Sequence, residues 1–169
     1  MDALKHLNER PAGEAREELR RCCGASRWAE AMTSRRPFPD REALLAAADE
    51  VSGGLEESDW REAFAHHPKI GDADALRARF ASTRQWAAGE QAGVRSAAED
   101  TLAALADGNR VYEDRFRFIF IVCATGKTAD EMLSLLRARL PNDPRDELRV
   151  AAGEQARITR LRLEKLRAP

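Results

Sequence analysis

The chain has 169 residues and carries 28 Lys+Arg against 29 Asp+Glu, a formal net charge of −1 that excludes both a polybasic nucleic-acid surface and an acidic tail. No apolar run approaches the roughly 20 residues that span a bilayer, and the opening MDALKHLNER lacks the apolar core of a signal peptide. A soluble cytoplasmic protein with no membrane or nucleic-acid partner is expected, folded as one domain over residues 1–169.

Alanine, leucine, arginine and glutamate dominate, and β-branched residues cluster only around Ile119–Val122, so propensity favours an all-α fold. The segment up to Gly24 carries Leu4, Leu7, Ala15, Leu19 and Cys22 and is broken at Pro11, which predicts two short helices with Gly24 as the stop. Ser26 is placed to cap the next helix, from Arg27 to about Thr33, which presents Trp28 and Met32 before the Arg36-Pro37-Phe38-Pro39 loop. Asp40 opens a helix with Leu44, Leu45, Ala48 and Val51 on one face, closed by Gly53-Gly54. Ser58 heads another, with Trp60 and Phe64 on one side, and this helix runs into His66-His67-Pro68. The Pro68 ring crowds the preceding backbone and disfavours helical geometry there, so His67 is expected at a helix end.

Beyond Gly71, residues Asp74–Phe80 and Ser82–Gln91 read as helices, the second ending near Gly93. The span from Ser96 to about Phe118 is helical with a predicted split or kink at Asp107-Gly108-Asn109. Residues 118–124 form the one continuously apolar run, too short to cross a membrane and expected to be buried. Thr128-Ala129-Asp130-Glu131 matches a capping box for a helix to about Leu140, ended by Pro141. The last helix, from Arg145 to about Arg167, has Leu148, Ala151, Gln155, Ile158, Arg162 and Leu166 at helical steps, so two polar residues fall within its apolar stripe.

Three features carry chemistry. His67 is either a helix-terminal residue capping carbonyls or a proton carrier, because histidine titrates near neutrality. Glu90-Gln91 offers a carboxylate and an amide that are either solvated or paired with that histidine, and Arg162 either snorkels to the surface or turns inward to grip an anion. The adjacent His66 and His67 cannot converge with His6 on one metal, and Cys22, Cys23 and Cys123 form neither a CxxC pair nor an even disulfide set. Reduced, buried thiols and no metal are expected, with Cys123 a small hydrophobe rather than a nucleophile.

Several strings then line up. Cys22-Cys23-Gly24 with Arg27-Trp28, Arg36-Pro37-Phe38, HPKIGD from His67, Glu90-Gln91-Ala92-Gly93, FIVCATGK from Phe120, Asn142-Asp143-Pro144 and Ile158 to Leu163 together resemble the family of 2-oxo-4-hydroxy-4-carboxy-5-ureidoimidazoline (OHCU) decarboxylases, across nearly the whole chain. The resemblance implies an all-helical, cofactor-free enzyme of about eight to nine helices, a homodimer converting OHCU to S-allantoin in urate breakdown. By position, His67, Glu90 and Arg162 match the family's catalytic residues. Pro68, Gln91 and the backbone of Phe120, Ile121, Val122, Cys123 and Ala124 match its substrate-binding positions. Ala87 stands where many members have serine, with Ser82 or Gln85 as candidates for that contact.

These residue types suit the reaction. Loss of CO2 leaves electron density that must be delocalised into the ring and then protonated on one face. Backbone N–H donors of the 120–124 turn suit the first need and a positioned acid, His67, the second. Arg162 would hold ureido or ring oxygens with its planar fork, and Gln91 would fix orientation. A ureide hydrolase using Glu90 to activate water, and a non-catalytic helical interaction module, are the competing readings.

Overall fold

The computed structural model describes residues 3–68, 73–80 and 92–166, with backbone alone over 92–97. Among the described residues there are nine helices and no strand: α1 (Ala3–Glu9), α2 (Ala12–Cys22), α3 (Ser26–Ser34), α4 (Arg41–Gly53), α5 (Glu57–Ala65), α6 (Ala73–Phe80), α7 (Ala92–Phe116), α8 (Ala129–Arg139) and α9 (Pro144–Glu164). The all-α expectation holds, and no described helix is long and apolar enough to cross a membrane. The chain groups into two compact units, Met1–His67 with Ile121–Cys123 and Leu148–Pro169, and Pro68–Phe120 with Ala124–Glu147.

In the first unit, two of the breaks fall where prolines remove donors. Pro11 separates α1 from α2, and the Pro37-Phe38-Pro39 loop separates α3 from α4. Asp40 caps α4 as expected, its Oδ1 accepting the Ala43 N–H at 2.8 Å. Two predicted caps are replaced. Ser26 is the first residue inside α3, and its N–H and Oγ donate to the Glu62 carboxylate of α5 at 3.0 and 2.5 Å. Those bonds hold the Glu62 carboxyl below the usual range. At α5, Glu56 takes the cap position in place of Ser58, with Asp59 accepting its N–H at 2.9 Å. The core unites Leu7, Leu19, Trp28, Met32, Leu44 and Leu163, all buried.

In the second unit, α7 packs on α6 and α8 and runs unbroken through the predicted split at Gly108. A Cβ at Gly108 would meet Leu136 Cδ2 of α8 at 2.3 Å, so the glycine serves close helix–helix approach and not a turn. Gly93, the predicted stop, likewise lies inside α7; the predicted Ser82–Gln91 helix falls outside the described residues. The helix ends at Arg117, left-handed at φ 62, whose N–H bonds the Glu113 carbonyl at 2.8 Å. Thr128 and Glu131 form the expected capping box on α8, with bonds of 3.2 and 2.8 Å.

This unit also buries charge. Glu147, fully enclosed, accepts from Arg139 Nε at 2.7 Å and Nη2 at 2.5 Å, from Asn142 Nδ2 at 2.8 Å and from the Tyr112 hydroxyl. Burial and the neighbouring carboxylate push the Tyr112 phenol far up, so it stays a donor. The Arg139 guanidinium also lies 4.6 Å from the Phe120 ring centroid, with Tyr112 edge-on to that ring at 5.1 Å.

Candidate active site

His67 sits two residues past the end of α5, where Pro68 ends the helical backbone. Its own N–H still reaches the Phe64 carbonyl at 3.1 Å. The ring is half-buried, and its Nε2 lies 2.5 Å from Oε1 of Gln155, fully buried on α9. Gln155 Nε2 donates to Thr159 Oγ1 at 3.2 Å, and Thr159 Oγ1 donates to the Cys22 carbonyl at 3.4 Å. Arg162 Nη1 donates to that carbonyl and to the Arg21 carbonyl, both at 3.2 Å. A single hydrogen-bonded chain therefore links His67 to Arg162 through the C-terminus of α2, where cations are favoured by the helix dipole.

Arg162 itself is exposed, which corrects its predicted place within an apolar stripe. The buried stripe of α9 is Ala151, Gln155, Thr159 and Leu163, at steps of four, and Arg162 borders it. The stripe departs from the expected one because Ile158 and Leu166 are only half-buried while Thr159 is enclosed.

Burial lowers the His67 pKa below its ordinary value, and the positive charge of Arg162 adds to that, against the raising effect of the Gln155 bond. That shift favours the neutral imidazole at pH 7. Cys22 and Cys23, buried at the turn after α2, are thiols rather than thiolates; burial pushes Cys22 up to about 12.

Gly24 completes this turn. A Cβ on it would lie 2.2 Å from Cβ and 2.4 Å from Cγ of His66, so the bare backbone lets the Cys22–Ala25 segment seat against the His66-His67 turn. The glycine is there for close approach and not as the predicted helix stop, since α2 ends with Cys23 in an extended conformation. Gly24→Ala is expected to cost about 1–3 kcal/mol through overpacking and, by displacing His66 and its neighbour, to lower kcat. Urea unfolding beside steady-state kinetics checks this; unchanged values in both would refute the close approach as a constraint.

Of the other predicted site residues, Ile121–Cys123 lie in the same unit as His67 and Arg162. The Cys123 N–H donates to Glu154 Oε2 at 2.7 Å, and Glu154 also binds Arg157 Nη1 at 2.5 Å. Ile121 is buried, and Val122 and Cys123 are half-buried, so the run is less enclosed than predicted. An irregular segment turns its side chains in several directions instead of presenting one face. Phe120, Pro68 and Ala124 belong to the other unit. Ala87, Glu90 and Gln91, with Ser82 and Gln85, lie outside the described residues. His6 accepts from Arg10 Nε at 2.6 Å. Sequence reasoning flagged Gln155 as a polar residue in an apolar stripe and gave it no task; it passed over Thr159 and Glu154. A buried amide four residues from a buried hydroxyl on one helix face was the available signal.

The sequence matches the OHCU decarboxylase family over residues 8–164. It is 37% identical over 150 residues to the uric acid degradation bifunctional protein TTL of Arabidopsis thaliana, covering 89% of this chain and 46% of that protein, so it spans less than half of that relative. It is 30% identical over 138 residues to the 2-oxo-4-hydroxy-4-carboxy-5-ureidoimidazoline decarboxylase of Amia calva, covering 80% of this chain and 77% of the other. Its fold is similar to a crystal structure of OHCU decarboxylase in the presence of (S)-allantoin, with a TM-score of 0.69, 35% identity, and coverage of 89% and 96% of the two chains.

Proposed function

This chain belongs to the OHCU decarboxylase family, and from that premise we propose that it decarboxylates OHCU to S-allantoin in urate degradation, with His67 as the group that delivers the proton. The observation that carries the role of His67 is its Nε2 bond to the buried Gln155, which orients a half-buried, neutral imidazole at a helix end.

The substrate's ring carbon bears both a carboxylate and a hydroxyl, and its neighbour bears the ureido arm. When the bond to CO2 breaks, its electron pair flows into the ring C=N system, whose nitrogen takes up one proton from solvent, and leaves an enol. The hydroxyl must then lose a proton while the ureido-bearing carbon gains one. A neutral His67 does both by taking the hydroxyl proton and returning a proton to carbon on one face, which sets the product's hand. Arg162, its Nη1 held by the Arg21 and Cys22 carbonyls, presents the remainder of its fork to substrate oxygens. Its grip has to strengthen as the ring takes up charge, because holding the departing carboxylate tightly in the ground state would raise the barrier. The family resemblance assigns Glu90 and Gln91 the roles of acid and amide, and Glu154 accepts the N–H of Cys123 in the stretch proposed to bind substrate.

OHCU made freshly from urate decays by itself to racemic allantoin, so the test is rapid CO2 release with one optical sign. Ammonia or urea in place of CO2 would instead identify a hydrolase, and racemic product at the spontaneous rate an interaction module; either sinks the proposal. Because His67 starts neutral, kcat/KM is expected to rise with pH through a value below the usual 6.5 of histidine and to level off through neutrality. A fall over that same range would mean that the resting imidazolium is the donor. The working form is proposed to be a cytoplasmic homodimer, and sedimentation at twice 18.8 kDa is the expected result.

A further inference from the structure

Gln155 is completely enclosed, and an enclosed amide has to satisfy both of its ends. Its nitrogen donates to Thr159, whose hydroxyl proton goes to the Cys22 carbonyl. With the nitrogen committed, the atom facing His67 is the oxygen, and an amide oxygen can only accept. The hydrogen of the neutral imidazole is therefore on Nε2. Among the described residues Nδ1 has no hydrogen-bond partner.

We propose that Gln155 is a positioning residue for the decarboxylation, holding the hydrogen on His67 Nε2 so that Nδ1 is the ring nitrogen that takes the proton from substrate and returns it. The inference rests on the reading of His67 as the proton carrier. Thr159 and the Cys22 carbonyl keep the amide from turning over. A turned amide would aim its NH2 at Nε2, favour the hydrogen on Nδ1, and leave the neutral ring nothing to accept with on the substrate side. The Cys22 carbonyl also receives Arg162, so the same turn sets the orientation of the proton carrier and of the cation that grips the ring.

Three variants test this in the full chain, each checked by thermal melting. Gln155→Leu removes the acceptor and is expected to lower kcat by about 10- to 100-fold, the effect of a misplaced catalytic group, with KM changed much less. Gln155→Glu keeps an acceptor but adds charge, and is expected to restore part of kcat while moving the acidic limb of the pH profile up by about 1–3 pH units. Nitrogen-15 spectra of the histidine-labelled protein, with the His67 signals assigned from their loss in His67→Asn, are expected to show the Nε2–H form in the unmutated chain. The Nδ1–H form in that spectrum overturns the proposal, as do kcat and pH limb left unchanged by both Gln155 variants. His67→Asn with full activity would overturn the underlying reading instead, so the two failures are distinct.

Discussion

His67→Asn is expected to lower kcat for OHCU decarboxylation by about 10²–10⁴, the range that a positioned acid–base group supplies, with the product losing its optical purity as the spontaneous reaction overtakes the enzyme. Asparagine keeps polarity but cannot take up and release a proton near neutrality. The substitution also strips the buried Gln155 oxygen of its donor, at a cost of about 1–3 kcal/mol. For a chain of this size that is a Tm decrease of several degrees, roughly 2–4 °C per kcal/mol. Kinetics run well below both melting transitions separate lost chemistry from lost stability. A variant with near-normal turnover and a single optical sign in its product would remove His67 from the mechanism.

Glu147→Ala is expected to be strongly destabilising, by about 3–5 kcal/mol, because it removes the carboxylate that faces the buried Arg139 guanidinium. Solvent has little access to compensate the loss, since Glu147 is fully enclosed and Arg139 is 8% exposed. The carboxylate receives Arg139, Asn142 and Tyr112 together, so one deletion removes an acceptor that three side chains share. Chemical unfolding should show the loss directly, with a Tm lower by roughly 10 °C. Replacing the pair as Arg139→Met with Glu147→Leu should cost much less, since a buried ion pair is frequently matched by apolar side chains of similar volume. If the double replacement were as damaging as Glu147→Ala, the charge argument would fail, and packing around the Phe120 and Tyr112 rings would be what holds this region together.

Both variants probe contacts that the sequence carried only in part. The strings around His67 and Phe120 were specific enough to indicate the family, and the position of His67 at a helix end followed from Pro68 alone. The partner of His67 did not follow. Gln155 is 88 residues away, and in a sequence it is one polar residue in an imperfect stripe. Arg162 was singled out for sitting in that stripe, whereas it lies beside it and is oriented by two carbonyls at the end of α2. Gly24 and Gly108 read as punctuation, yet each marks a close approach by a distant element, His66 in one case and Leu136 in the other.

What the sequence determined by itself was the helical class, most helix ends and the place of His67 at one of them. These depend on atoms within about four residues: the Asp40 and Thr128 caps, and prolines that lack a donor. Tertiary structure decided which glycines lie within helices, that Glu62 rather than a local side chain receives the start of α3, and that His67, Gln155, Thr159 and the Cys22 carbonyl form one chain. Those outcomes depend on which helix faces meet. Packing of apolar surface sets that choice, and the buried polar groups then take the partners that packing brings within about 3 Å.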